Sequence, residues 1–309
     1  MKPVKLIPTC KDYIWGGHRL YDQYGIGNGG VTAEAWVLSA RDNGPCFIAE
    51  GEYEGKTLAE VLEAEGKAVW GTRAQKFPTF PLLIKLIDAA KDLSVQVHPS
   101  DEYALKNEGE YGKTEMWYVV DRAEGAFLYA GLNREVSSEE FAKAIANNTV
   151  IDLLNKIYVE KGDSIFIPSG TVHAIGAGLL IAEVQQNSDL TYRVYDYGRL
   201  GADGKPRPLH IEKAVKVAKT CPPESAVLHA ENVAVSRIAQ CEYFVTDSVK
   251  VPECGSITVD SGSFACLLCI EGEVKAGDMI LKAGECAFVP AGFGEMPLSG
   301  EGRILVSGV

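Results

Sequence analysis

The hydrophobic residues of the chain fall mostly in short runs that end at Gly or Pro. In some runs they alternate with polar residues, and other runs are apolar throughout. Runs of this kind are typical of β-strands bounded by turns. The clearest of them lie at 93–99, 115–121, 125–132, 163–170, 178–186 and 191–198. Many short strands separated by turn residues predict an all-β protein built as a sandwich or a barrel.

Three segments have the period of amphipathic helices instead. They cover residues 57–70, 137–157 and 210–220. In the second segment Ser137 or Ser138 can act as the N-cap, because acidic residues follow directly. Its apolar residues Phe141 and Ile145 repeat at helical spacing. The pattern therefore predicts a β framework with minor helices, including a small helical insertion.

A change of composition at 221–232 predicts a domain boundary, because this stretch has turn-forming residues and little periodicity. We place the boundary between a helix-bearing domain 1–228 and a smaller domain 229–309. A weak internal repeat supports it, since 162–173 and 284–295 both fit G-x5-P-x-G-x-x-(H/E). Gly and Pro would set the turns around a buried strand, and the last residue would turn back toward the barrel interior. Two β-barrels of common origin are predicted.

Composition and charge narrow the classes of partner. Of 309 residues, 46% are hydrophobic, which is enough for a sizeable core. The 42 acidic residues outnumber the 30 basic ones and give a net charge of −12, which disfavours nucleic acid and anionic membrane surfaces. No apolar run is long enough to span a bilayer, and the N-terminus lacks the pattern of a secretion signal. We expect a cytoplasmic protein.

The eight cysteines are irregularly spaced and few for a chain of this length, which favours free thiols in a reducing compartment. Cys266 and Cys269 are three apart in an apolar run. On a strand they would point to opposite faces, so we interpret them as core residues rather than metal ligands.

Metal-binding residue types recur at positions that a β framework can bring together. Gln96 and His98 are two apart, so on a strand both project from one face, and the same rule groups Lys113 with Glu115. His173 ends the first copy of the repeat. Two imidazole nitrogens and two side-chain oxygens form a mixed donor set that suits a borderline divalent ion such as zinc.

The repeat resembles the second motif of the cupin superfamily, whose barrel binds a metal through the terminal His. Nearly the whole chain is similar to the type I mannose-6-phosphate isomerase family in its short bacterial form, made of two cupin (jelly-roll) barrels. The motifs that carry the resemblance are YIWGG at 13–17, AEAWVLSA at 33–40, FPLLIKLIDA at 80–89, LSVQVHPSD at 93–101, GKTEMWYV at 112–119, FIPSGTVHAIGAG at 166–178 and EVQQNSDLTYRVYDYGR at 183–199.

The resemblance implies a role for each matching residue. The zinc ligands of the family fall on Gln96, His98, Glu115 and His173. The catalytic arginine falls on Arg193, and the lysines that work at the sugar fall on Lys113 and Lys85. One departure concerns the wall of the site, since relatives often have His-Pro where this chain has Arg41 and Asp42.

From the residues alone, three of these positions keep a structural alternative. Arg193 could form an ion pair with Asp189 or Asp196. Lys85 lies in an apolar run, so its ammonium either reaches the surface or faces a polar cavity. Glu183 either orients a cation near the metal or is a solvated strand-edge residue. If it has a functional role, we expect Glu183 to bind the substrate together with Lys85.

The function implied is interconversion of mannose 6-phosphate and fructose 6-phosphate by metal-assisted proton transfer through an enediol or enediolate. Lys113 is the candidate acid–base group and Arg193 stabilises negative oxygen. One Zn²⁺ per chain is expected in the first barrel, because the second has Glu295 where the first has His173. The alternatives are another metal-dependent cupin enzyme, such as a dioxygenase, and a non-catalytic cupin that binds a sugar phosphate.

Overall fold

The computed structural model describes residues 1–201, 204–223, 227–229 and 233–309. The strands are β1 (Val4–Ile7), β2 (Thr9–Lys11), β3 (Glu34–Leu38), β4 (Phe47–Ile48), β5 (Leu82–Ala89), β6 (Val95–Val97), β7 (Glu115–Arg122), β8 (Phe127–Leu132), β9 (Leu154–Tyr158), β10 (Ser164–Ile167), β11 (His173–Ile175), β12 (Leu179–Gln186), β13 (Tyr192–Tyr195), β14 (Val227–Leu228), β15 (Val235–Gln240), β16 (Val245–Val251), β17 (Ser256–Val259), β18 (Ala265–Ala276), β19 (Met279–Lys282), β20 (Cys286–Val289) and β21 (Gly294–Gly308). The helices are α1 (Arg19–Tyr24), α2 (Leu58–Glu65), α3 (Asp101–Asn107), α4 (Ser138–Ala146) and α5 (Ile211–Val217). Short 3-10 helices lie at Lys67–Trp70, Ala74–Lys76 and Val150–Leu153. The predicted class, all-β with minor helices, is confirmed.

The chain forms two compact units. The central unit contains Asp12–Gly17 and Ile87–His229, and the terminal unit contains Met1–Lys11, His18–Leu86 and Ala230–Val309. The division of the chain into domains 1–228 and 229–309 stays a prediction. Part of the predicted linker, residues 224–226 and 230–232, lies outside the described residues.

The central unit holds two antiparallel groups of strands. One runs in the order β14-β10-β7-β12 and the other in the order β13-β6-β11-β8-β9. In the second group, alternate residues of each strand face a helical layer. Val95 and Val97 pack with Phe141 and Ile145 of α4 and with Ala214 of α5 in one buried cluster. The helical insertion thus covers one face of the sheet, and the polar residues between the valines project from the other.

The terminal unit is a sheet in the order β15-β16-β21-β18-β20-β1-β4, with β17 beside β21 and β19 beside β18. Its core includes Leu267, Cys269 and Ile304. Cys266 and Cys269 are both buried, which confirms their interpretation as core residues. All eight cysteines are free.

The helix predicted over 137–157 is only partly correct. Ser137 caps α4 through its side chain, which accepts from the Glu140 amide at 3.0 Å. The helix ends at Ala146, because Asn148 adopts a left-handed conformation with φ of 58°. After a 3-10 turn the chain continues as β9, so residues 154–157 are strand. The short helices α1 and α3 were not predicted.

The repeat motif has the predicted turns in both copies. Gly162, Gly170, Gly284 and Gly292 all have positive φ between 76° and 95°. The prediction for the final residue holds only in the first copy, where His173 is buried. Glu295 is exposed, and in β21 its neighbour Met296 takes the inward position instead. Because side chains of a strand alternate between its two faces, a shift of one residue moves the side chain at this position from the buried face to the exposed face.

No helix within the described ranges is both long and apolar enough to cross a bilayer.

The loop that leads into β7 approaches the segment after β6 through a glycine. A Cβ on Gly112 would lie 2.5 Å from the Pro99 carbonyl oxygen and 2.6 Å from the Asp101 nitrogen, both of them backbone atoms. The Gly112 amide also donates to the Asp101 carboxylate at 2.8 Å. This close approach brings the segment of Lys113 and Glu115 onto the segment of His98.

We therefore expect Gly112→Ala to destabilise the protein by about 1–3 kcal/mol, because the backbone must move to accept the methyl group. The midpoint of urea unfolding measures the effect. Gly255→Ala is the control, since a Cβ there meets no atom within 4 Å. Equal midpoints for the two variants would contradict the packing argument.

Candidate metal centre

Strand register places three predicted site residues in one row. His173 of β11 lies opposite Gln96 of β6, and Arg193 of β13 lies opposite Gln96 on the other side. Directly opposed residues of neighbouring strands share a face. Their chain neighbours Val95, Val97 and Val172 belong to the cluster on the helical side. The row is therefore His173, Gln96, Arg193, on the face away from the helices.

His98, Glu115 and His173 converge into one buried cluster. The His98 Nε2 lies 3.4 Å from one carboxylate oxygen of Glu115, and the His173 Nε2 lies 3.4 Å from the other. The two imidazole centroids are 4.7 Å apart. Gln96 completes the group, with its amide nitrogen 3.3 Å from the His173 Nε2. In the part of the chain that the structure describes, no other group of His, Cys, Asp and Glu converges in this way.

Both imidazole rings are oriented by main-chain carbonyls. The His98 Nδ1 lies 2.7 Å from the Leu190 carbonyl oxygen, and the His173 Nδ1 lies 2.8 Å from the Thr171 carbonyl oxygen. A carbonyl only accepts, so each Nδ1 carries the proton and, in the neutral ring, Nε2 presents a lone pair. Burial lowers the pKa of His173 to about 4, which keeps this ring neutral at neutral pH.

This donor set fits a divalent metal ion such as zinc. Two ligands of a tetrahedral ion with bonds of about 2.0–2.1 Å are separated by roughly 3.3–3.4 Å. The His98–Glu115 and His173–Glu115 separations of 3.4 Å, each measured to a different carboxylate oxygen, are close to that spacing. Rotating the Gln96 amide by 180° exchanges its nitrogen for its oxygen, so this residue can offer the fourth donor. The carbonyl acceptors behind both rings are the support that metal-bound imidazoles need.

Lys113 lies against the cluster and is itself almost fully buried. Its ammonium is 2.7 Å from a carboxylate oxygen of Glu115 and 3.5 Å from one of Glu183. It also lies 3.3 Å from the His98 Nε2. The other oxygen of Glu183 accepts from the Trp117 indole at 3.1 Å. The alternative that Glu183 is a solvated strand-edge residue is wrong, because its side chain is buried beside this cation.

Arg193 is half-buried, and its guanidinium hydrogen-bonds to uncharged groups. Its Nε donates to Ser94 at 3.3 Å and its Nη1 donates to the Pro208 carbonyl at 3.0 Å. The Asp196 carboxylate forms ion pairs with the guanidinium groups of Arg199 and Arg207.

Lys85 belongs to the terminal unit. Its ammonium lies 3.8 Å from a carboxylate oxygen of Glu34 and 5.5 Å from the centroid of Trp36. The Trp36 indole donates to the same Glu34 oxygen at 2.7 Å. Lys85 is 6% exposed, so of the two options that its sequence left open, the surface one is wrong.

Sequence reasoning missed the groups that hold the site residues in place. The carbonyls of Thr171 and Leu190 carry no sequence signature, because every residue has one. His210 carries no local sequence signal of a role at the site, yet its Nδ1 accepts from the Arg193 amide at 3.0 Å. That contact joins positions 17 residues apart and depends on how the segment after β13 folds back.

The fold and the donor set together define a class: a cupin-type β protein with a buried cluster able to hold a metal ion. A family model described as phosphomannose isomerase type I, catalytic domain, matches residues 4–127, and one described as mannose-6-phosphate isomerase, cupin domain, matches 235–309. The mannose-6-phosphate isomerase ManA of Bacillus subtilis is 37% identical over 315 residues, covering 99% of this chain and 98% of its own. The chain belongs to the type I phosphomannose isomerase family.

Solved structures agree with this assignment. The crystal structure of the mannose 6-phosphate isomerase from Bacillus subtilis superposes with a TM-score of 0.87 at 37% identity and covers 100% of both chains. A crystal structure of a mannose 6-phosphate isomerase bound with zinc and yttrium has a TM-score of 0.81 at 21% identity and covers 99% of each chain. The second likeness concerns the fold alone. The predicted pair of cupin-like barrels is confirmed.

Proposed function

We propose that this chain interconverts mannose 6-phosphate and fructose 6-phosphate, with Zn²⁺ held by Gln96, His98, Glu115 and His173. The observation that carries the proposal is the convergence of two oriented imidazoles on the Glu115 carboxylate at separations that fit a tetrahedral ion. The full-length similarity to ManA supports the reaction. The relatives named above give no support to the dioxygenase or to the non-catalytic binding protein.

The reaction moves a proton between C1 and C2 of the open-chain sugar while the carbonyl moves the other way. When bound, the divalent ion supplies Lewis-acid stabilisation of the negative charge on the sugar oxygens. Lys113 holds or releases the transferred proton at its Nζ, where Glu115 and Glu183 already fix its position. Arg193 stabilises the oxygen that becomes negative. Glu183 and Lys85 are proposed to contact the substrate.

The test is a zinc-reconstituted assay of mannose 6-phosphate deuterated at C2. We expect fructose 6-phosphate to form, with part of the label at C1 and part lost to solvent, because the proton of a lysine exchanges with water. Other aldose phosphates serve as controls and should react poorly. Complete retention of label over many turnovers at several pH values would contradict the enediol route, and absence of any product would contradict the proposed function.

We also propose that one Zn²⁺ binds per chain, within the central unit, and that the second barrel has a structural role. The cytoplasmic location expected from composition is likewise a prediction.

A further inference from the structure

His210 pairs with the outer edge of β13 at Arg193. One side of the strand pairs with β6, where Arg193 lies opposite Gln96. On the other side the Arg193 amide donates to the His210 Nδ1 at 3.0 Å, and the Arg193 carbonyl accepts from the His210 amide at 2.8 Å. His210 therefore satisfies both main-chain groups that Arg193 presents at the edge of the sheet.

The same segment also holds the Arg193 side chain. Pro208, two residues before His210, accepts from the Nη1 of Arg193 at 3.0 Å. The guanidinium also donates from its Nε to the Ser94 hydroxyl at 3.3 Å. Main chain and guanidinium are thus attached to one short stretch, 208–210. A shift of this stretch would move the whole of Arg193 relative to Gln96.

The contact requires a His210 ring without a proton on Nδ1, because the Arg193 amide donates to it. Burial, together with the positive charges of Arg193 and Lys213, lowers the pKa of His210, and the Glu108 carboxylate acts in the opposite direction. Glu108 is largely engaged elsewhere, since it accepts from Lys213 at 2.6 Å and from the Tyr192 hydroxyl at 2.7 Å. The Tyr192 ring lies 6.1 Å from the His210 ring, centroid to centroid.

We propose that His210 is a positioning residue that holds Arg193 in place through its Nδ1 acceptor. The inference rests on the proposed function, because it needs Arg193 to act in the reaction. The His210 ring and amide bond to the Arg193 main chain rather than to the four proposed metal ligands. Its effect is exerted through the Arg193 main chain.

The test compares three variants with matched chemistry. His210→Asn puts an oxygen at the position of Nδ1, whereas His210→Gln puts its oxygen one carbon further out and His210→Ala has no acceptor. We expect His210→Ala and His210→Gln to lower kcat on the order of 10- to 100-fold, because a small displacement of a catalytic group such as Arg193 can slow a reaction by that factor. KM and zinc content should change little, and His210→Asn should recover most of the loss.

A double-mutant cycle with Arg193→Ala separates positioning from general damage. If His210 acts through Arg193, adding His210→Ala to Arg193→Ala should lower kcat no further. Multiplied effects, a His210→Ala enzyme with wild-type kcat, or a His210→Asn enzyme as slow as His210→Gln would each overturn the inference. A zinc-loaded Arg193→Ala enzyme with full activity would instead refute the role of Arg193 in the proposed function, and the inference would fall with it.

Discussion

Replacing His173 with alanine is expected to abolish metal binding and isomerisation together. The His173 Nε2 is one of three converging donors, and its ring is fully buried and held by the Thr171 carbonyl. Removing a residue that hydrogen-bonds to a metal ligand lowers the affinity for the metal roughly 10- to 100-fold, and removing the ligand itself should lower it further.

Zinc analysis after extensive dialysis, together with the assay of fructose 6-phosphate formation, measures this effect. In the wild-type protein a chelator should remove activity and added zinc should restore it. His18→Ala is the matched control, because that imidazole is exposed and makes no side-chain cap bond at the start of α1. A metal-free His173→Ala protein with full activity would refute the assignment of this ligand.

Replacing Lys113 with methionine is expected to lower kcat by about 10²- to 10⁴-fold, which is the usual contribution of a positioned acid or base. Methionine is apolar and of similar length, so it keeps the volume and removes the ammonium. The metal donors stay in place, and zinc content should change much less than kcat. Steady-state kinetics and zinc analysis on the same preparation measure both quantities.

Lys106→Met provides the control for Lys113→Met, because Lys106 is exposed in the last turn of α3. It should leave kcat at the wild-type value. A zinc-loaded Lys113→Met enzyme with unchanged kcat would exclude an acid–base role for Lys113. Loss of zinc and activity in equal proportion would show that Lys113 serves to hold the metal ligands instead.

The sequence was sufficient to predict which residues share a face, but not which strands lie side by side. The two-residue period of a strand is fixed by its geometry, so Gln96 could be separated from Val95 and Val97 in advance. The row of His173, Gln96 and Arg193 depends on register between strands that are distant in the chain. Register follows from the packed fold rather than from any local pattern.

The errors have the same physical origin. Residues 154–157 continue an apolar pattern that reads as helix, yet they pair with β8 as a strand. Glu295 matches His173 in the repeat, but a small change in the following strand leaves it exposed. His210 lacked any local sign of its contact with Arg193. In each case a tertiary contact decides what local sequence leaves open.

The most direct measurement of the central claim is the position of zinc in crystals of the zinc-loaded protein, found from anomalous scattering at the zinc absorption edge. We expect one strong peak per chain, with the Nε2 atoms of His98 and His173 and the Glu115 carboxylate at about 2.0–2.2 Å. A peak bound to other residues, or two peaks of equal strength per chain, would contradict it.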